Sequence, residues 1–301
     1  MRLNSREQGA HYLSGVRSKQ RLLRRIYKNQ ARLGAWEAAA NTALDLGMAL
    51  RDNTRFQEAL KLYKNIGGAR DKLPGSVQAR LNLQVGIIYK NLAQRGLREV
   101  FPRQGATDAR LRQRELQADK MLGEALAYNM QALDWAESTN SLGLLIEAIN
   151  ERSECLLIAS RRDDASLPQA ELLMDRLEML LQYLPTATRL VDFEKHRGIA
   201  LWLRGNVVDA MLHVERGRQI ALDHGLLFKA CDCDYQIGLQ VLTTLSSLRD
   251  TTYLRQGLAA LQRAIEFYRA NVLPTNEYLA NVVRWKRELE EEALQLGLSR
   301  A

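Results

Sequence analysis

Aromatic residues make up only 6% of the 301 residues, and there are just five prolines and three cysteines. Cys155, Cys231 and Cys233 are too few for a disulfide framework, and an odd number would leave one thiol unpaired in an oxidising compartment. No run reaches the roughly 18 apolar residues of a membrane span, and the first residues lack the apolar stretch of a signal peptide. A soluble, cytoplasmic chain without a membrane span is expected. Alternating β-branched runs are also missing, which excludes a sheet protein. GxxxxGK[ST], GxGxxG after a strand, GxSxG and HExxH do not occur, so neither an enzyme nor a bound cofactor is expected.

What the chain has is 46% hydrophobic and 26% charged residues, enough apolar material for an ordered core. Lysine and arginine total 43 against 35 acidic residues, a net charge of +8. The excess lies at one end. Residues 1–32 carry nine cations and one acid, Glu7, so residues 33–301 are neutral.

Apolar residues recur three and four apart nearly throughout, the period of an amphipathic helix. Pro74, Pro102, Pro168, Pro185 and Pro274 fall where that period breaks. The pattern predicts helices near 17–33, 35–51, 54–66, 76–98, 108–137, 141–160, 166–183, 186–204, 207–223, 226–248, 251–271 and 275–296. Thr54 with Gln57, and Ser166 with Gln169, have capping-box spacing, and Asn206 precedes a helix with Asp209 in its first turn.

Two segments align without gaps. Gly47 and Ala59 are twelve apart, as are Gly198 and Ala210, with Phe56, Glu58 and Tyr63 in the first copy at the offsets of Val207, Asp209 and Val214 in the second. A third copy is split, with Leu83, Val85, Gly86 and Tyr89 like a first helix and Glu124, Ala125, Ala132 and Leu133 like a second. Ser153 and Gly238 mark degenerate copies. Small residues on both helices of a pair permit close crossing, which larger side chains would wedge open. This pattern resembles the tetratricopeptide repeat family. The resemblance implies an all-α, right-handed α-solenoid of about five helical hairpins over residues 35–271. A basic helix or arm at 1–34 would precede it and a capping helix at 272–301 would follow. The split copy carries an insertion near 95–115, whose cluster of Arg95, Arg98, Arg103, Arg110, Arg112, Arg114 and Lys120 is expected to project as a partner contact or a solvated hairpin.

In that family the first helices line a concave surface that binds a peptide or protein segment. Carried onto this chain, the groove residues would be Asn41, Leu44, Asp45, Met48 and Asp52, then Arg80, Leu83, Gln84, Ile87, Lys90 and Asn91, then Asp192, Lys195, His196 and Ile199. Asp45 and Asp52 depart from the branch that clamps a C-terminal carboxylate with lysines and asparagines. Near the start of the chain, Arg17, Arg21, Arg24, Lys28 and Arg32 form a helical stripe, with Leu22, Leu23, Ile26 and Leu33 expected to dock on the first hairpin. The stripe is either a contact for an anionic partner such as nucleic acid, an acidic protein surface or anionic lipid, or a solvated face. Cys231 and Cys233 point about 200° apart on a helix, which disfavours a shared metal ion and favours buried thiols. Three readings follow: a non-catalytic scaffold binding a peptide in the concave face, a nucleic-acid-binding repeat protein, or a ligand-responsive regulatory sensor subunit.

Overall fold

The computed structural model describes residues 5–51, 54–100, 109–248, 250–271 and 277–298. Among these it has twelve α-helices and no strand. They are α1 Ser5–Arg32, α2 Trp36–Arg51, α3 Phe56–Gly67, α4 Gly75–Val100, α5 Ala109–Ser138 and α6 Leu142–Ala159. After them come α7 Ser166–Leu181, α8 Ala187–Leu203, α9 Val207–Asp223, α10 Leu227–Leu248, α11 Thr251–Asn271 and α12 Glu277–Gln295. Each expected helix is present within a few residues, except that α1 begins at Ser5 instead of 17. Gly9 and Gly15 weaken helix propensity there by about 1 kcal/mol each relative to alanine, yet they do not end the helix. Among the described residues no helix is long and apolar enough to cross a membrane.

The chain divides into two compact units, Ala10–Leu173 and Met174–Ala301, the latter also taking in Met1–Gly9. The boundary falls within α7. In the first unit α2 packs on α3, α3 on α4, α4 on α5 and α5 on α6, while α4 also touches both α2 and α6. The second unit reproduces this pattern with α8 to α12, where α10 touches α8 and α12 as well as α9 and α11. The first core gathers Leu44, Tyr63, Ile66, Val85 and Ile88, and a neighbouring cluster holds Ala93, Ala118, Leu122 and Ala125. In the second unit Val191, Met211, Val214, Ile237 and Ala260 are packed together.

The small residues stand at the helix crossings. A β-carbon on Gly47 would lie 2.2 Å from the Tyr63 ring, and one on Gly86 would lie 2.1 Å from Asn129 Oδ1. On Gly198 it would meet Val214 Cγ2 at 2.5 Å, and on Gly238 it would meet Leu261 Cδ2 at 2.3 Å. In every case the facing group sits four residues after a small one, namely Ala59, Ala125, Ala210 or Gly257. Gly257 supplies the second small position that the sequence pattern left unassigned. Tyr63 cannot swing away, because its hydroxyl donates to the Leu44 carbonyl at 3.1 Å. Ser153 is fully buried and turns its hydroxyl onto Ile149 O.

The described residues of the expected insertion belong to the end of α4 and the start of α5, and they lengthen that hairpin. α4 and α5 pack along each other, with Ala118 next to Gly96 and Leu97 partly buried against the Ala93–Ala118 cluster. Arg162 ties the start of α5 to the turn after α6 through Asp119 and Glu115. Residues 101–108, including Pro102 and Arg103, lie outside the described residues, as does Pro274.

Two of the three expected caps are corrected. Thr54 has φ +58° and closes α2: its N–H reaches Arg51 O, and Arg55 N–H reaches Leu50 O. That is a Schellman end, a role usually taken by glycine, and Gly34, Gly205, Gly225 and Gly297 fill it elsewhere with Asn140. Ser166 donates to Asp163, whose carboxylate also takes Ala165 N–H, so Asp163 organises the start of α7. Asn206 does cap α9, accepting from Asp209 N–H.

Gly198→Ala places its new methyl 2.8 Å from the Ala210 carbonyl, which is backbone and cannot yield. We expect it to destabilise the protein by roughly 1–3 kcal/mol despite better helix propensity. Gly123→Ala, with open space around it, should stabilise by up to about 1 kcal/mol, so thermal midpoints measured by circular dichroism should move in opposite directions. Thr54→Gly relieves a β-branched residue in the left-handed region and should raise the midpoint by about 0.5–1 kcal/mol equivalent in the same assay.

Candidate functional site

In the first unit, α2 and α4 run side by side and present the residues expected in the groove. Asp45 and Arg80 are exposed, while Asn41, Met48, Gln84 and Asn91 are half-buried. Arg80 Nη1 donates to Asn41 Oδ1 at a long 3.4 Å, and Arg51 Nη1 donates to Gln84 at 3.0 Å. The Asn41 amide N–H2 group has no protein partner among the described residues. At the start of α2 a depression of about 430 Å³ is lined by Ala35, Trp36, Glu37, Ala38 and Asn41. Lys72 Nζ lies 5.1 Å from the Trp36 ring centroid, a cation–π distance. This end of the α2/α4 face therefore offers an indole edge, an amide, a carboxylate and a guanidinium within two adjacent helices.

Further along, the same face closes upon itself. Lys90 is 5% exposed and donates to Glu151 and Glu154 of α6, each at 2.5 Å, and Gln94 adds a bond to the second Glu154 oxygen at 3.1 Å. Burial alone would lower the Lys90 pKa, but the two carboxylates outweigh it and hold the ammonium well above the ordinary lysine range. Ile87 is buried in the core. Asp52 lies outside the described residues.

Of the expected groove residues of the second unit, Asp192 and Lys195 are tied to α10. Lys195 donates to Asp232 at 2.5 Å, and Lys229 donates to Asp192 at 2.5 Å, which joins α8 to α10. His196 is fully buried and is thereby removed from any solvent-facing surface. On the same helices, buried Glu194 is bonded to His213 Nδ1 at 2.6 Å, and buried Asp234 accepts from Arg218 and Arg263. Burial pushes the Cys231 and Cys233 thiols up to about 12, so they are protonated and unreactive at neutral pH. Among the described residues no group of three or more His, Cys, Asp or Glu is placed to hold a metal ion.

Sequence reasoning placed Asn41, Asp45, Met48 and Arg80 on the accessible face but missed Trp36 and Lys72, which complete its open end. A tryptophan opening a helix directly after a glycine turn was the one available signal. No family model and no curated protein matches the chain.

Lys90→Met would leave Glu151 and Glu154 without their cation and should cost on the order of 3 kcal/mol in urea unfolding. A lysine with a raised folded pKa keeps its full contribution below the unfolded value of about 10.4 and loses it only as pH climbs through the higher folded value. The difference between wild type and Lys90→Met should therefore stay flat from about pH 7 to about pH 9.

Proposed function

We propose that this protein is a non-catalytic interaction scaffold, a tetratricopeptide-like right-handed solenoid. It holds a peptide or protein segment on the α2/α4 face of the unit Ala10–Leu173. The observation that carries this reading is the contrast along one face. Deeper polar groups such as Lys90 are saturated by internal partners, whereas Asn41, Asp45 and Arg80 keep bonding capacity beside the Trp36 depression. Buried polar groups are normally satisfied, so spare donors and acceptors mark where a ligand adds most.

The chemistry suits an extended segment. Asn41 can both give to and take from a peptide backbone, Arg80 and Asp45 can set charge register, and Trp36 with Met48 can anchor an apolar side chain. The crossings at Gly47 and Gly86 support a stacked-hairpin scaffold rigid enough to present such a surface. The exposed cations of α1 favour a second contact, with an anionic partner.

Selection of a displayed random-peptide library on the purified chain should yield binders. Their affinity is expected to fall roughly tenfold or more in the variant Trp36→Ala/Asn41→Ala/Asp45→Ala/Arg80→Ala, with helicity retained. Binders indifferent to all four changes would rule out this face.

A further inference from the structure

α1 does not dock as its pattern suggested. Leu23, Tyr27 and Ala31 pack on the first core, buried Gln20 donates to Ala49 O at 3.0 Å, and Arg24 turns inward to Glu58 at 2.7 Å. Leu22, Ile26 and Leu33, expected to dock, are instead 58%, 37% and 78% exposed. With about 100° of rotation per residue, these three fall on one line of the outer face. Arg21, Arg25, Lys28 and Arg32 fall on the adjoining line, all exposed, and Lys19 flanks the aliphatic line on its other side. None of these five cations has an ion pair or hydrogen bond to the protein among the described residues. The Arg17 side chain lies outside the described residues.

We propose that the outer face of α1 is a docking surface for an anionic lipid bilayer. Two properties of the face select this occupant. The cations form an unneutralised row, and because residues 33–301 carry equal numbers of acids and bases, the rest of the chain has no charge excess to answer it. Alongside runs the aliphatic line, which a phosphate backbone cannot use: nucleic acid rewards cations and stacked aromatics, and the described part of this face exposes no aromatic ring. A bilayer interface supplies both phases a few ångströms apart, acyl chains for Leu22, Ile26 and Leu33 and phosphates for the arginines and lysines, whose long stems span the boundary. The helix lies in the plane of the interface and does not cross the bilayer, since no described helix is apolar enough to span. The opposite side of α1 is already held by the first core, so the helix does not have to fold on binding.

This proposal stands apart from the peptide face, because the two surfaces share no residue. The test is sedimentation of the full chain with vesicles of phosphatidylcholine alone or mixed with phosphatidylglycerol. Binding to the mixed vesicles, weak binding to the neutral ones and weakening with salt are expected. Arg21→Gln/Arg25→Gln/Lys28→Gln/Arg32→Gln should lose roughly a hundredfold or more in partition. Leu22→Ser/Ile26→Ser/Leu33→Ser should lose roughly tenfold with the salt dependence unchanged. Should that triple variant lose helicity, Leu33→Ser alone, at the most exposed of the three positions, makes the same comparison. The Trp36/Asn41/Asp45/Arg80 variant should sediment like wild type. Failure to bind the mixed vesicles would overturn the proposal. So would serine variants that bind them as tightly as the parent while short duplex DNA competes fully, since that would make the face a plain polyanion contact.

Discussion

The rest of the structure depends on how closely paired helices approach one another. At Gly47, Gly86, Gly198 and Gly238 the facing side chain fills the space where a β-carbon would stand. That closeness sets where every other group on the same helices falls. Lys90 reaches Glu151 and Glu154 from α4 to α6, and Arg80 reaches Asn41 from α4 to α2, because the axes between them are held by crossings one layer below. Wider spacing would leave these side chains short of their partners. Interiors tolerate such gaps poorly, since each void forfeits dispersion contacts and apolar burial together.

Given that frame, burial sorts the polar residues into two kinds. Lys90, Lys195, Asp192, Glu194 and Asp234 are tied to partners on neighbouring helices and act as internal struts. Such pairs add little net stability compared with apolar packing, but removing one member is costly, so they hold helix register more than they strengthen the fold. Asn41, Asp45 and Arg80 sit at the end of the same kind of interface, where the row of helices opens to solvent and the long Asn41–Arg80 bond is easily exchanged. Residues of equal chemistry thus acquire opposite roles from their depth alone. The outer face of α1 follows the same logic in reverse, with aliphatic side chains left outside because Leu23, Tyr27 and Ala31 already fill the seam.

Where sequence reading succeeded and failed has a physical pattern. Gly47 with Ala59 and Gly198 with Ala210 were legible because a glycine inside a strong helical period is costly and needs a packing reason. Thr54 was misread as a cap for α3 because capping-box spacing is local. The left-handed turn that closes α2 there uses bonds back to Leu50 and Arg51. Ser166 was misread for a similar reason, since its hydroxyl donates upstream to Asp163, whose carboxylate also takes Ala165 N–H. Around the insertion that the spacing of the split copy marked, Ala93, Gly96 and Ala118 let α4 and α5 lengthen against each other. The pairing of Trp36 with Lys72 was invisible because the two come from different turns and meet only in space.

By itself, the amino-acid sequence determined the all-helical class, the approximate limits of twelve helices, the small residues at their crossings and the concentration of positive charge in the first 32 residues. These follow from short-range rules: helical period, breakers, and the steric demand of a close crossing. Only tertiary structure decided which groove candidates keep free bonding capacity, which serve as struts, and which face of α1 meets solvent. Those outcomes turn on contacts between residues up to about sixty positions apart, such as Lys90 with Glu151. Distance along the chain carries no record of depth, and depth governs whether a charge is spent inside the protein or left for a partner.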